Sequence, residues 1–272
     1  MTASIVSSPA RTAGRAPAGR LVGFRPMVRK DLGEWTHGKR VWVILVVTTV
    51  FMALSAANGA IASWIIANAP ADATVPKAAS MVPLDNFMAA IGSQIFVIVA
   101  VFASMSLLVA EREHGTLSWV ASKPVSRGTI WVSKWAAATA MIAIAAGVLP
   151  LVAVVGLVVV LYGMVSASVV VMTAVGIVAS VMFIAAVVLA ASTVVSNQAG
   201  AAAIGVAVFF LPSTLAGLLP VDITPFLPSS ILQWAVGLGL GADAGFVTPI
   251  AWGVSIVALV AFATWRMDKL EL

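Results

Sequence analysis

With 272 residues, 61% of them hydrophobic and 9% charged, and a mean hydropathy of +1.10, the chain lacks the polar residues that a water-facing surface requires. Its apolar residues come in runs of lipid-spanning length, and the alternating segments that build a membrane barrel are absent, so an all-α polytopic membrane protein is expected. No cysteine is present, which excludes disulfides, thiolate metal sites and cysteine nucleophiles. The net charge of +5 reads as a topology signal, since nucleic-acid binding would need a basic folded face with stacking aromatics.

In chain order, residues 1–23 are rich in Ala, Ser, Gly, Pro and Arg and read as a disordered arm. A cleavable signal peptide is not expected, because eight Lys or Arg precede the first apolar run at Val41. Over 24–40, Phe24, Met27, Val28, Leu32 and Trp35 recur at helical spacing between Arg25, Arg29, Lys30 and Glu34. This suits an amphipathic helix in the membrane interface, with Gly33 and Gly38 weakening any continuous rod into the first span; the alternative is a charged extension of that span.

Residues 41–272 then form one transmembrane domain, in which six spans are predicted. The first is Val41–Ile66, where Trp42 and Trp64 stand about 33 Å apart along a helix and match two interfacial belts. Phe87–Ala110, Trp135–Leu161, Ser166–Val195, Ala201–Leu219 and Val247–Trp265 complete the set. Between the last two, Pro212, Pro220, Pro225 and Pro228 interrupt an apolar stretch over 212–246, which reads either as an ordinary outer loop or as re-entrant helices.

Basic residues orient the whole. With an inside amino terminus, fourteen of the fifteen Lys and Arg fall on the inner side, and only Lys77 lies outside. Both termini are therefore expected on the cytoplasmic face of a cell inner (plasma) membrane protein.

The densest charged patch, 111–134, lies just after the second span. Glu111 ends that span, Gly115 permits a change of direction, and Thr116 can cap a short helix whose Leu117, Val120 and Ala121 share a face. Pro124 stops it. Ser126 can cap the next helix, along which Ile130, Trp131, Lys134 and Trp135 would follow the interface. Glu111 and Glu113 point to different faces, so Glu111 reads as an interhelix contact with Arg112 or Arg127 rather than an acid–base pair.

Glu111-Arg112-Glu113, Gly115-Thr116-Leu117, Pro124-Val125-Ser126-Arg127 and Lys134 resemble the first cytoplasmic loop of ABC-2 type transporter permeases. Arg29–Trp35 is similar to that family's segment before the first span. The resemblance implies a permease that exports its cargo, with Gly115–Lys123 as a coupling helix docking on a separate ATPase. It also implies two copies of an ABC ATP-binding subunit and a second permease subunit, as a homodimer or heterodimer surrounded by membrane lipids. No Walker-A loop occurs in this chain, and Gly38-Lys39 lacks the preceding glycine, so ATP and Mg would be bound by the partner.

No catalytic, cofactor or metal residues are expected. His37 and His114 lie in separate charged segments without ligand spacing and read as solvated. For a polar route, Ser93, Gln94 and Ser104 on the second span, with Asn197 and Gln198 at the mouth of the fifth, are candidates; small and hydroxyl residues of this kind also pack membrane helices. Scarce midplane charge leans toward an amphipathic or hydrophobic cargo, a lipid, drug or natural product. An ion-coupled secondary transporter, or a non-transporting assembly or sensing protein, is the alternative.

Overall fold

The structure is a computed structural model that describes residues 23–69, 80–113, 115, 126–215 and 221–269. It is helical and multi-pass. Five helices are long and apolar enough to cross a membrane, and Gln198–Pro212 is a shorter apolar one.

Helix α1, Phe24–His37, is the expected amphipathic helix, and it ends at Gly38, whose extended backbone (ψ 155°) breaks the rod before α2, Lys39–Ala56. One stripe of α1, through Met27, Asp31 and Trp35, turns toward the bundle, and Asp31 and Trp35 are buried. Phe24, Val28 and Leu32 stay half-exposed beside the exposed Arg25 and Arg29.

The first span was expected as one helix; it is two, α2 and α3, Asn58–Asn68, joined at Ala57. Backbone groups freed in lipid need partners, and here side chains from other elements supply them. The Tyr162 hydroxyl accepts from Ala60 N (2.8 Å) and donates to Ala56 O (2.9 Å), while Asn86 Oδ1 accepts from Gly59 N at 3.1 Å. Only glycine fits at 59: a Cβ would fall 2.2 Å from Ser80 O. Trp42 and Trp64 are both 67% exposed, as lipid-facing belt residues should be.

The second span is also divided. Helices α4, Pro83–Gly92, and α5, Ile95–Glu113, meet at Ser93–Gln94, where Gln94 takes a left-handed φ of +48°. The third begins earlier than expected: α6, Arg127–Ile142, continues through a π-helical stretch, Ala143–Val148, into α7, Leu149–Leu161. Pro150 has no N–H for the Ala146 carbonyl, which accounts for the widened turn ahead of it. Ile130, Trp131 and Lys134 do not run along the interface; they are buried in α6 beneath α1.

Helix α8, Ala167–Ala191, is the central post, the most buried of the spanning helices, with α5, α6 and every later helix packed on it. Small residues allow this close approach, the contact that holds helices together where lipid is as apolar as leucine. At Gly176 a Cβ would meet Leu232 Cδ1 at 2.9 Å, and at Gly205 it would meet Val188 Cγ2 at 2.5 Å.

Helix α9, Gln198–Thr214, occupies the place of the fifth predicted span. Its 17 residues reach about 25 Å, short of a ~30 Å slab, with Pro212 near its end. After two 3₁₀ turns, Val221–Phe226 and Pro228–Ser230, helix α10, Ile231–Gly239, lies along α8, with Leu232 and Ala235 at Gly176 and Gly239 at Val169. Helix α11, Val247–Asp268, closes the bundle against α6 and α8.

Candidate functional site

Charged residues of α1, α5 and α6 meet at a buried cluster. Lys134 Nζ donates to Glu111 Oε1 at 2.7 Å and lies 3.8 Å from Asp31 Oδ1, and the lysine side chain is only 6% exposed. Buried charges persist only when paired, so one ammonium between two carboxylates pins three elements together. Ser133 Oγ lies 3.4 Å from Asp31 Oδ2 as a further donor. Burial pushes the Asp31 carboxyl above its ordinary range, and Lys134 opposes that shift.

Around this cluster other contacts lock the same end of the bundle. Arg40 lies over the buried Trp35 ring at 4.7 Å and donates to Ala103 O and to Ser106 Oγ. Arg112 Nη1 donates to Ser192 O (3.0 Å) and Val195 O (3.2 Å), placing a cation on the carbonyl end of α8, where the helix dipole favours it. Arg127 Nη1 donates to Asp268 O at 3.4 Å, tying the start of α6 to the end of α11.

Several local readings of the patch hold. Ser126 caps α6, its Oγ accepting from Thr129 N at 3.2 Å, and Gly115 turns the chain with a φ of +68°. His114, Thr116, Leu117, Val120 and Pro124, and with them the predicted short helix, lie outside the described residues. What the structure describes is the frame on both sides of that loop. Glu113 is exposed beside it.

Among the described residues the ion-pair partners of Glu111 include Lys134 and neither of the expected Arg112 and Arg127, each of which donates to backbone carbonyls elsewhere. Asp31 was missed altogether. A signal did exist, because Asp31 falls four residues from both Met27 and Trp35, a carboxylate on the apolar side of an amphipathic helix.

The candidate route residues are not brought together. Ser93 Oγ donates to Ala90 O at 2.7 Å at the break in the second span, next to the strained Gln94. Val97, Ala100 and Ser104 turn into the chain's own core, where Ser104 Oγ has no hydrogen-bond partner among the described residues. Asn197 caps α9 through Gly200 N (2.6 Å), and Gln198 edges a shallow apolar face shared by Phe102 and Met105 of α5 with Ala202 and Val206 of α9. His37 Nδ1 lies 2.7 Å from Gly33 O within its own helix, and no metal-binding group of His, Asp and Glu occurs among the described residues.

The helices on both sides of the loop are thus joined to each other and to the spans. No curated protein matches the sequence. A sequence model of the family described as ABC-2 family transporter protein matches residues 25–232, well over half of the chain, from α1 through the buried clamp to the start of α10. By that match the chain belongs to the ABC-2 family of transporter proteins and is a multi-pass permease of an ABC transporter, the partner of an ABC ATP-binding subunit.

Proposed function

We propose that this chain exports an amphipathic or hydrophobic substrate, driven by ATP hydrolysed in two copies of a separate subunit that dock on the loop 111–134, with a second permease subunit completing the route. The observation that carries the reading is the Lys134 clamp on Asp31 and Glu111. A push on the loop is delivered to α1, α5 and α6 together, because the clamp leaves none of them free to yield alone. Gly115 and Ser126, at the start and end of the loop respectively, match that role.

The same reading has six crossings and both termini in the cytoplasm of a plasma-membrane protein. Two contacts support it. Arg112 caps the end of α8 at the charged end of the bundle, while Ser168 Oγ donates to Gly239 O (2.9 Å) at the opposite end. These contacts support a crossing between the start of α9 and the end of α10, and the position of α10 beside α8 supports a re-entrant element. An ion-coupled mechanism is the weaker reading: breaks occur in the first two spans, yet at the first of them Tyr162 and Asn86 occupy the freed backbone groups that an ion would need.

The test is reconstitution. The purified chain should co-purify with a Walker-A ATPase and raise its turnover, and ATP should drive lipid-like cargo across proteoliposomes. Transport on an ion gradient with no ATPase present would sink the proposal.

A further inference from the structure

Helices α8, α9 and α11 enclose a second feature, a laterally open groove of about 690 Å³, which has no part in the clamp. Phe183, Val187 and Ala191 form its floor, and Val208 of α9 faces Leu259 and Phe262 of α11 across it. Among the described residues two hydroxyls line it. That of Ser255 is spent on Ala251 O at 2.8 Å, and the other belongs to Ser229. The lining among the described residues is otherwise hydrocarbon, and the volume falls among those of small-molecule sites, about 300–1,000 Å³.

Depth comes from the packing of α10. Leu232 and Ala235 seat at Gly176, about 14 Å along α8 from Ala167 at about 1.5 Å per residue. Leu227 and Ser229, just before them in the chain, close the groove at that level, near the middle of a ~30 Å slab. From that roof the floor runs on to Ala191, at the charged end of the bundle, so the groove occupies one leaflet.

That shape selects its occupant. A spanning helix of a second copy would have to continue past the Leu227 roof, which closes the groove part-way along α8. An acyl chain is narrow and ends at the midplane. One turn beyond Phe262, on the same face of α11, stands Arg266, and no ion pair engages it among the described residues. A cation one helical turn beyond the last lining residue of an apolar groove complements an anionic headgroup.

We infer that this groove binds one anionic phospholipid of the leaflet on the Arg266 side, its tail between α8, α9 and α11 and its phosphate at the Arg266 guanidinium. In the proposed orientation this is the cytoplasmic leaflet. The site itself does not depend on the transport reading, and it is tested without ATP or a partner subunit.

Delipidated protein would be titrated with phosphatidylglycerol and with phosphatidylcholine, and bound lipid counted by native mass spectrometry. Wild type should retain one phosphatidylglycerol per chain in preference to phosphatidylcholine. Arg266→Gln should weaken phosphatidylglycerol by about five-fold, the worth of one basic residue near an anionic surface, and leave phosphatidylcholine unchanged. Ala258→Phe, which fills the groove from an exposed position, should lower retention of both lipids while the thermal midpoint stays near wild type. If that variant folds poorly, Ser255→Cys, which gives this cysteine-free chain a single thiol in the groove, should be shielded from maleimide by added phosphatidylglycerol. Equal retention of the two lipids by wild type, or retention unmoved by the groove and arginine variants, overturns the inference. So does efficient cross-linking of the Ser255→Cys thiol between two copies, which would give the groove to a second chain.

Discussion

Lys134, midway along α6, and Glu111, near the end of α5, stand 2.7 Å apart although they are 23 positions apart in the chain, and Asp31 of α1 shares the same ammonium at 3.8 Å. The helices on either side of the loop are thus joined by a buried group of three charges.

Removing the shared cation is the severest change available at this site. Lys134→Met leaves two buried carboxylates facing each other, and breaking a buried pair from one side costs about 3–5 kcal/mol. The detergent-solubilised variant should unfold at a clearly lower temperature than wild type, with Glu111→Gln milder because Asp31 still pairs the lysine. A melting point equal to that of wild type would mean that the clamp holds nothing together.

Acidity should act on the same cluster through Asp31. Its folded carboxyl is held above the ordinary value by burial, so the folded state binds the proton more tightly than the unfolded chain does. The stabilisation by that proton is complete below the unfolded value and is lost as pH rises through the raised folded one. Compared with Asp31→Asn, wild type should therefore gain relative stability as pH falls across that window. Thermal unfolding of the pair at a series of pH values reads it, and a pH-independent difference contradicts it.

At the other end of the bundle, the divided first span depends on borrowed partners. Tyr162→Phe strands Ala60 N–H and Ala56 C=O, at about 1–3 kcal/mol for a buried group left unmade. Gly59→Ala drives a methyl group against Ser80 O and should destabilise more. Thermal midpoints of both variants, with Ala62→Ser as a control on the same helix, check the ordering.

In the loop itself, replacing Leu117 or inserting a charge at Val120 should uncouple ATPase turnover from transport while insertion and melting temperature stay unchanged. Side-by-side ATPase and transport assays on the reconstituted complex decide it, and intact coupling in both variants removes the docking assignment.

Much of this was legible in the chain because it rests on local rules. Ser126 as a cap, Gly115 as a turn and Gly38 as a break follow from backbone chemistry within a few residues. The start of the third span was misjudged for a related reason: Trp131 and Lys134 are polar-tipped residues of the kind that sit at an interface, and only α1 lying over them makes their position buried. The partner of Glu111 was equally out of reach, since sequence spacing favours Arg112 and carries no information about α6.

Sequence by itself determined the membrane class, the approximate places of the five long apolar helices and the charged patch between the second and third spans, since hydropathy and charge act residue by residue against lipid and water. Tertiary structure decided which faces meet. Lipid tails are as apolar as leucine, so hydropathy does not distinguish a helix face turned to lipid from one turned to protein. The inward turn of Ser104, the joints at Ala57 and Gln94 and the pairing of Asp31 with Lys134 are fixed by close packing and by the demand that every buried polar group find a partner, and both are settled only when the helices come together.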